Sequence, residues 1–274
     1  MVRLLARILI KDYDQTEQPA VRQAYGILCG GIGIAFNILL FAGKFLAGSI
    51  SRSIAITADA FNNLSDAGSS LLTLIGFKMA GQKPDTEHPF GHGRIEYLTG
   101  LLVSLLILLM GFELVKSSFL KILHPEDTEC TPLVIIILLV SIAVKFYMFL
   151  YNRSTGKEIA SSAMLATATD SFSDMLSTAV VLAATLIGKF TGLHIDGWCG
   201  LLVGIFILYA GFSAAKDTIS PLLGQPPEKA FVKRIESIVL SNPNVLGIHD
   251  LVVHDYGPGR VMISLHGEVP ASGD

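Results

Sequence analysis

Charged residues are scarce in this chain of 274 amino acids. They make up 16% of the sequence, whereas 51% of the residues are hydrophobic and the mean hydropathy is +0.57. Soluble domains ordinarily carry about 25% charged residues, so the deficit argues against a soluble enzyme and against a disordered protein. The class that remains is a membrane protein with several spans and a small soluble part.

The sequence also lacks an excess of basic charge, and it has no closely spaced pair of cysteines. The formal net charge is −3, so no basic surface field points to nucleic acid as a partner. The three cysteines lie far apart without a Cys-x-x-Cys pair, and neither a disulfide framework nor a thiolate metal site is expected. Residues 1–24 lack the apolar core of a secretory signal, and we expect a cytoplasmic amphipathic segment there.

Six apolar stretches follow, each close to the ~20 residues that a membrane-spanning helix needs. Together they predict a transmembrane domain over residues 25–219. The second and fifth spans are the least hydrophobic and contain carboxylates, so they should face protein or water rather than lipid. The predicted spans cover residues 26–48, 54–80, 97–119, 133–151, 162–186 and 195–214.

Lysine and arginine placement gives the orientation. The N-terminal segment and the second, fourth and C-terminal connections hold most of the basic residues, whereas the third-to-fourth connection is acidic. By the positive-inside rule, both termini lie in the cytoplasm.

The composition changes after the sixth span. Pro221, Pro226 and Pro227 indicate a linker, and residues 228–240 have the pattern of an amphipathic helix. Two alternating segments, 245–253 and 261–268, predict a hairpin. Residues 220–274 therefore form a small cytoplasmic α/β domain, and we expect that this domain is incomplete.

Two matched polar pairs lie inside the second and fifth spans. Asn62 and Asp66 are four residues apart, as are Asp170 and Asp174, so each pair shares a helix face. At 1.5 Å per residue, the three aspartates lie about 12 to 18 Å from a membrane surface, close to the midplane. A buried carboxylate costs roughly 2.5 to 3.5 kcal/mol there. The pairs predict a four-ligand cation site; protonated, hydrogen-bonded packing carboxylates are the alternative.

With these pairs and the loop His88-Pro-Phe-Gly-His92-Gly-Arg94, the whole chain resembles the cation diffusion facilitator family. The resemblance implies six spanning helices with a ferredoxin-like cytoplasmic domain, in a bacterial cell membrane. It also implies a homodimer that exchanges cytoplasmic divalent metal for protons. The metal is then the cargo, and no catalytic cofactor is expected.

All four ligands of the predicted site are oxygen donors. Zinc favours nitrogen and sulfur, whereas oxygen-only sites suit Mn²⁺, Mg²⁺ or Ca²⁺. The set of Asn62, Asp66, Asp170 and Asp174 also resembles the manganese-exporting branch of the family. Both arguments favour Mn²⁺, with Fe²⁺, Co²⁺ and Zn²⁺ as alternatives.

The resemblance points to further residues in the loop and near the membrane. Asp85, His88 and His92 could hold a peripheral metal or could simply order the loop. Arg94 matches a basic position that pairs with an acidic residue after the sixth span, here Asp217, and the pair is expected to hold the dimer or its hinge.

Asp59 could line the exit path or bond to neighbouring helices. His249 and His266 match positions used for cytoplasmic metal, although such histidines are more often surface residues. Lys44, Glu113 and Lys145 also lie within spans, and we expect Lys145 to extend towards the membrane surface without a transport role.

Two other classes of function fit the sequence less well. An intramembrane enzyme would need a nucleophile or a metal with a base, and no HExxH or GxSxG motif stands on these spans. A cation channel is disfavoured by a compact four-ligand site, because conduction requires weak sites in series.

Overall fold

The computed structural model describes residues 2–51, 54–124, 131–191 and 196–271. They form eight helices followed by a two-stranded antiparallel sheet. The mainly helical class with a small C-terminal α-β-β unit, predicted from the sequence, is confirmed. The helices are α1 Val2–Leu9, α2 Pro19–Ser51, α3 Ile54–Ala80, α4 Ile95–Leu123, α5 Pro132–Glu158, α6 Ser162–Thr191, α7 Asp196–Leu222 and α8 Lys229–Leu240, and the strands are β1 Gly247–Asp255 and β2 Val261–Glu268.

Helices α2 to α7 are the six long helices, and they differ in polarity. Within the described residues, α2, α4, α5 and α7 are long and apolar enough to cross a membrane. Helices α3 and α6 carry the polar pairs, which lowers their hydropathy. In the bundle, α3 packs along α2 and α6 packs along α5, while α4 pairs with α7. These pairings shield the polar faces of α3 and α6 from lipid, where unpaired carboxylates would be costly.

The long helices extend beyond the predicted apolar spans. Helix α2 begins at Pro19, and α5 continues to Glu158. Helix α7 continues through Pro221, which the sequence placed in a linker. Proline in the last turn removes a single backbone hydrogen bond, so the helix tolerates it there. The added turns are polar, as expected beyond the hydrocarbon region. Hydropathy therefore does not predict where these helices end.

Glycine permits close contact between α2 and α3. A Cβ at Gly26 would lie 2.2 to 2.5 Å from ring atoms of Phe77, and one at Gly30 would lie 2.9 Å from Cβ of Leu74. Any larger residue at these positions would force the helices apart. The Gly-x-x-x-Gly spacing in α2 thus lets the two backbones approach each other.

The β-hairpin docks on the loop between α3 and α4. Nε and Nη2 of Arg94 donate to the carbonyl oxygen of Asp255 at 3.0 and 2.8 Å, and the guanidinium lies over the ring of Tyr256. The hydroxyl of Tyr97 donates to the carboxylate of Asp255 at 2.8 Å. We call the end of the helix bundle at which these contacts lie the hairpin end.

A buried core closes the hairpin end. Helix α1 contributes Val2 and Ala6 to this core, and Ile10 follows directly after the helix. Residues of α2, α5 and α6 complete the core, including Met148 and Met164. The amphipathic segment predicted at the N-terminus is therefore a helix packed across the bundle.

An ion pair lies within this closed end. Arg22 on α2 donates to both carboxylate oxygens of Glu96 on α4 at 2.6 and 2.7 Å. Its guanidinium also donates to the carbonyl oxygens of Ile159 and Ala160, where α5 meets α6. One side chain thus ties together three parts of the bundle.

Candidate metal centre

Three carboxylates from two helices meet at mid-bundle. Asp66 comes from α3, and Asp170 and Asp174 come from successive turns of α6. One carboxylate oxygen of each lies within 4.8 Å of the other two. All three residues are at least 91% buried. The structure therefore brings together three of the four ligands that the sequence predicted.

The amide that contacts the carboxylates is not the one that the sequence predicted. Asn62, the predicted fourth ligand, is exposed and lines the adjoining cavity. Its neighbour Asn63 is buried, and its Nδ2 donates to Oδ2 of Asp66 at 3.2 Å. Positions three and four residues apart on a helix share a face, so the spacing could have indicated either asparagine. The structure places Asn63 in the carboxylate cluster.

A lysine also lies in the cluster, contrary to the expectation that Lys145 reaches the membrane surface. Nζ of Lys145 lies 2.6 Å from Oδ2 of Asp66 and 2.6 Å from Oδ2 of Asp174. Residue 145 is at the centre of the 27-residue helix α5, about 20 Å from either end at 1.5 Å per residue. The side chain is too short to reach either membrane surface from there, and it bonds to the carboxylates instead.

Several buried oxygens around the cluster have no hydrogen-bond partner among the described residues. They belong to one carboxylate, one amide and two hydroxyl groups. Three of the four residues also line the adjoining cavity. Buried polar atoms are nearly always paired, so this cluster has free lone pairs for an incoming ligand. The atoms are Oδ1 of Asn63, Oγ of Ser141, Oδ1 of Asp170 and Oγ of Ser173.

A cavity of about 510 Å³ reaches the cluster from one side. On α3 it is lined by residues from Asn62 to Asp66, and on α6 by residues from Ser173 to Thr178. Both stretches lie on the side of the cluster away from the hairpin end. The full lining consists of Lys44, Asn62, Asn63, Ser65, Asp66, Leu106, Leu109, Met110, Glu113, Leu114, Ser117, Ser141, Lys145, Ser173, Asp174, Ser177, Thr178 and Ile207.

Towards the hairpin end, the same helices are in contact. The hydroxyls of Thr73 on α3 and Thr167 on α6 are 2.8 Å apart, and both residues are buried. Below them lie the buried side chains of Phe77 and Met164. The cluster is therefore open to one end of the bundle and closed to the other.

The loop between α3 and α4 holds a second group of metal-ligand side chains. Ligand atoms of Asp85, His88 and His92 lie within 4.8 Å of one another, so the structure brings together all three predicted residues. Oδ1 of Asp85 accepts from the backbone N–H groups of Glu87 and His88. The bond from the His88 backbone N–H is the main cause that lowers the pKa of the Asp85 carboxyl, followed by the positive charge on His92 and His88 when they are protonated.

The hairpin holds a third group, on its solvent face. His249 pairs with His266 across the two strands. Oδ2 of Asp250 lies 3.0 Å from Nδ1 of His249 and 3.2 Å from Nδ1 of His266. These two hydrogen bonds, chiefly that of His266, lower the pKa of the Asp250 carboxyl.

Asp250 was not predicted from the sequence. The ladder is irregular between His249 and Val252, and Asp250 has φ of 53°. Aspartate tolerates this left-handed conformation better than most residues, and the irregularity lets its carboxylate reach both histidines.

The last two expectations concern the partner of Arg94 and the position of Asp59. The structure gives Arg94 the partners Asp255 and Tyr256 within the chain, rather than the expected Asp217, which is exposed on α7. The hairpin lies close enough to the loop for Arg94 to bond to Asp255. The sequence alone does not indicate that these two segments are neighbours. The side chain of Asp59 lies outside the described residues.

Comparison with known proteins identifies the family. The cation efflux transmembrane domain matches residues 32–223. The chain belongs to this family. It is 34% identical over 241 residues to an uncharacterized transporter of Methanocaldococcus jannaschii, covering 88% of this chain and 85% of the relative. It is 28% identical over 207 residues to the magnetosome protein MamB of Magnetospira sp., covering 75% and 70%. It is 26% identical over 252 residues to the cation-efflux pump FieF of Klebsiella pneumoniae, covering 91% and 84%.

Membership of the cation efflux family fits the helical architecture. The chain is an integral membrane protein and a divalent cation efflux transporter. Two of these relatives are named as a transporter and as a cation-efflux pump.

Proposed function

We propose that this cation efflux protein exports Mn²⁺ through the cluster of Asp66, Asp170 and Asp174, with an asparagine of α3 as the fourth ligand. The donor set carries the proposal. Every candidate ligand atom in the cluster is an oxygen, which suits Mn²⁺ better than zinc, because zinc favours nitrogen and sulfur. The unpaired hydroxyls of Ser141 and Ser173 add further oxygen donors beside the carboxylates.

We propose protons as the exchanged ion. When all groups are charged, three carboxylates and the ammonium of Lys145 leave two negative charges in a buried site. A divalent cation neutralises this charge, and metal binding requires deprotonated carboxylates. After the metal leaves, protons are the small cations that restore neutrality. Alternating exposure of the site would then couple metal efflux to proton entry.

The one-sided cavity supports alternating access. If both termini lie in the cytoplasm, as the basic residues predict, then the hairpin end is cytoplasmic and the cavity opens outward. The closed contact between Thr73 and Thr167 would have to separate for metal to enter from the cytoplasm. The proposed domains are residues 1–24, 25–219 and 220–274, in a homodimer within a bacterial cell membrane.

The loop and hairpin groups are proposed as secondary cation contacts. Asp85, His88 and His92 lie at the hairpin end, where cytoplasmic metal would first meet the bundle. His249 and His266, now with Asp250, form a fully exposed group. Both groups offer imidazole nitrogen and would therefore favour zinc over manganese.

The test is metal-resolved flux in proteoliposomes. The full chain is reconstituted, and uptake of Mn²⁺, Zn²⁺, Fe²⁺ and Co²⁺ is followed with and without a pH gradient. We expect saturable Mn²⁺ flux that falls when the pH gradient is collapsed. Asp170→Asn should reduce the initial rate of Mn²⁺ flux by about two orders of magnitude, because it removes a negatively charged ligand from the site. A hundredfold change corresponds to roughly 2.7 kcal/mol.

Asp14→Asn is the matched control, because Asp14 is an exposed aspartate outside the helix bundle. Its flux should equal that of the unmodified chain. Preferential zinc flux would overturn the manganese assignment, and current without saturation would indicate a channel. Unchanged Mn²⁺ flux in Asp170→Asn would overturn the assignment of the transport site.

A further inference from the structure

Lys145 occupies the position that a transported cation would take. Its Nζ lies 2.6 Å from carboxylate oxygens on two different helices, Asp66 on α3 and Asp174 on α6. All three side chains are at least 90% buried. The ammonium therefore bridges the two halves of the metal centre directly.

The bridging contact uses the lone pairs that a metal would need. A carboxylate oxygen offers about two acceptor sites. Oδ2 of Asp66 already accepts from Nζ of Lys145 and from Nδ2 of Asn63. A divalent cation binds oxygen at about 2.0 to 2.6 Å, so a metal between the two Oδ2 atoms would take the space that Nζ occupies at 2.6 Å. A metal bound to Oδ2 of both Asp66 and Asp174 must therefore replace the ammonium between them.

The cavity offers the displaced ammonium other acceptors. Lys145 lines this cavity together with Ser141 and Glu113. Oγ of Ser141 lies one turn away on the same helix and has no hydrogen-bond partner among the described residues. The flexible four-carbon stem of lysine allows such a change of rotamer without a movement of α5.

We propose that Lys145 is a tethered competitor of the transported metal. In the empty site, its ammonium bridges Asp66 and Asp174 and keeps α3 and α6 together. An incoming divalent cation displaces it, and the returning ammonium helps to expel the metal on the releasing side. The proposal rests on the proposed function, because it takes the same carboxylates as the transport site.

Competition predicts the direction of a change in affinity. If the ammonium occupies the site in about nine molecules out of ten, only a tenth of the protein is ready to bind metal, and the apparent dissociation constant is raised about tenfold. Lys145→Met should therefore bind Mn²⁺ at least about tenfold more tightly. A lysine that only supports the fold would give the opposite result, because its loss would disturb the ligands and weaken binding.

Calorimetric titration of the detergent-solubilised full chain with Mn²⁺ tests this prediction. Lys78→Met is the matched control, since Lys78 is exposed at the end of α3 and should leave the affinity unchanged. Asp174→Asn tests the metal centre itself. Loss of binding in Asp174→Asn with unchanged or weaker binding in Lys145→Met would overturn the role of Lys145 alone. Full binding in Asp174→Asn would overturn the proposed transport site.

A second measurement needs no variant and guards against misfolding. The structure of the unmodified chain is determined by electron cryo-microscopy with and without Mn²⁺. With the metal bound, Nζ of Lys145 should lie beyond about 3.5 Å from Oδ2 of both Asp66 and Asp174, outside hydrogen-bond distance. Metal density at the carboxylates with Nζ still bonded to either oxygen would refute displacement.

Discussion

Glu96→Gln should destabilise the protein strongly, because Glu96 is the counter-ion of a buried arginine. Its side chain is 1% exposed, and that of Arg22 is 10% exposed. The two groups form a bidentate pair with distances of 2.6 and 2.7 Å. Glutamine keeps the shape of the side chain and one acceptor, but it removes the negative charge. The guanidinium of Arg22 is then left buried without a counter-ion.

The expected loss follows from the burial. Removing one partner of a buried ion pair typically costs about 3 to 5 kcal/mol, because the other charge stays desolvated. Arg22 retains its bonds to the carbonyls of Ile159 and Ala160, which places the loss near the lower limit, about 3 kcal/mol. Replacing both partners, in Arg22→Met with Glu96→Leu, should cost less than Glu96→Gln alone, since no buried charge remains.

Reversible unfolding in mixed micelles measures the loss in Glu96→Gln, and a double-mutant cycle of Arg22→Met, Glu96→Leu and the double variant measures the coupling. Glu17→Gln is the control, because Glu17 is exposed on the segment before α2 and should leave stability unchanged. A loss below about 1 kcal/mol in Glu96→Gln would refute the reasoning, since it is the size expected of an exposed pair. The reasoning would also be refuted if the losses in unfolding free energy of the two single variants added up to that of the double variant, because the two residues would then not be coupled.

Three more predictions concern packing, docking and ionisation. Gly26→Ala should lower stability by about 1 to 3 kcal/mol, because its Cβ would lie 2.2 Å from a buried aromatic ring on α3; thermal unfolding in detergent measures this. Tyr97→Phe removes the 2.8 Å bond to Asp255 and should increase amide hydrogen exchange of the hairpin but not of α2. The Asp250 carboxyl should titrate below the ordinary value of ~3.9, because His266 donates to its ionised form. In carbon-13 NMR of labelled aspartate, His266→Ala should raise this pKa; an unchanged value would contradict the assigned cause.

The sequence predicted the helices and the paired carboxylates from local patterns, and the family resemblance pointed to residues in the other two candidate metal groups. The apolar runs indicated the spans, and the spacing of Asp170 and Asp174 indicated a shared face. Both signals are contained within one helix. The bounds were less well predicted, because hydropathy changes at the edge of the hydrocarbon while α2 and α5 continue into polar turns.

What the sequence missed depends on contacts between helices. A helix position gives the depth of Lys145 but not the neighbour that it faces. Its central place in α5 was nevertheless a signal, since a lysine about 20 Å from either end cannot reach a membrane surface and requires an internal counter-ion. Predicting the role of Asn63 would have required the rotation of α3 about its axis. Predicting that of Asp250 would have required the local irregularity of the β-ladder.

The proposed alternating access gives the ion pair at the hairpin end a consequence for transport. If the hairpin end opens, Arg22 and Glu96 must separate. Separating the bidentate pair of Arg22 and Glu96 would expose two charges to entering water, which solvates both. An apolar pair of the same size would be as stable when closed, but opening it would expose hydrophobic surface at about 25 cal/mol per Å². The buried core at this end favours the closed state, and the ion pair of Arg22 and Glu96 would be the part of the closure that hydration can reverse.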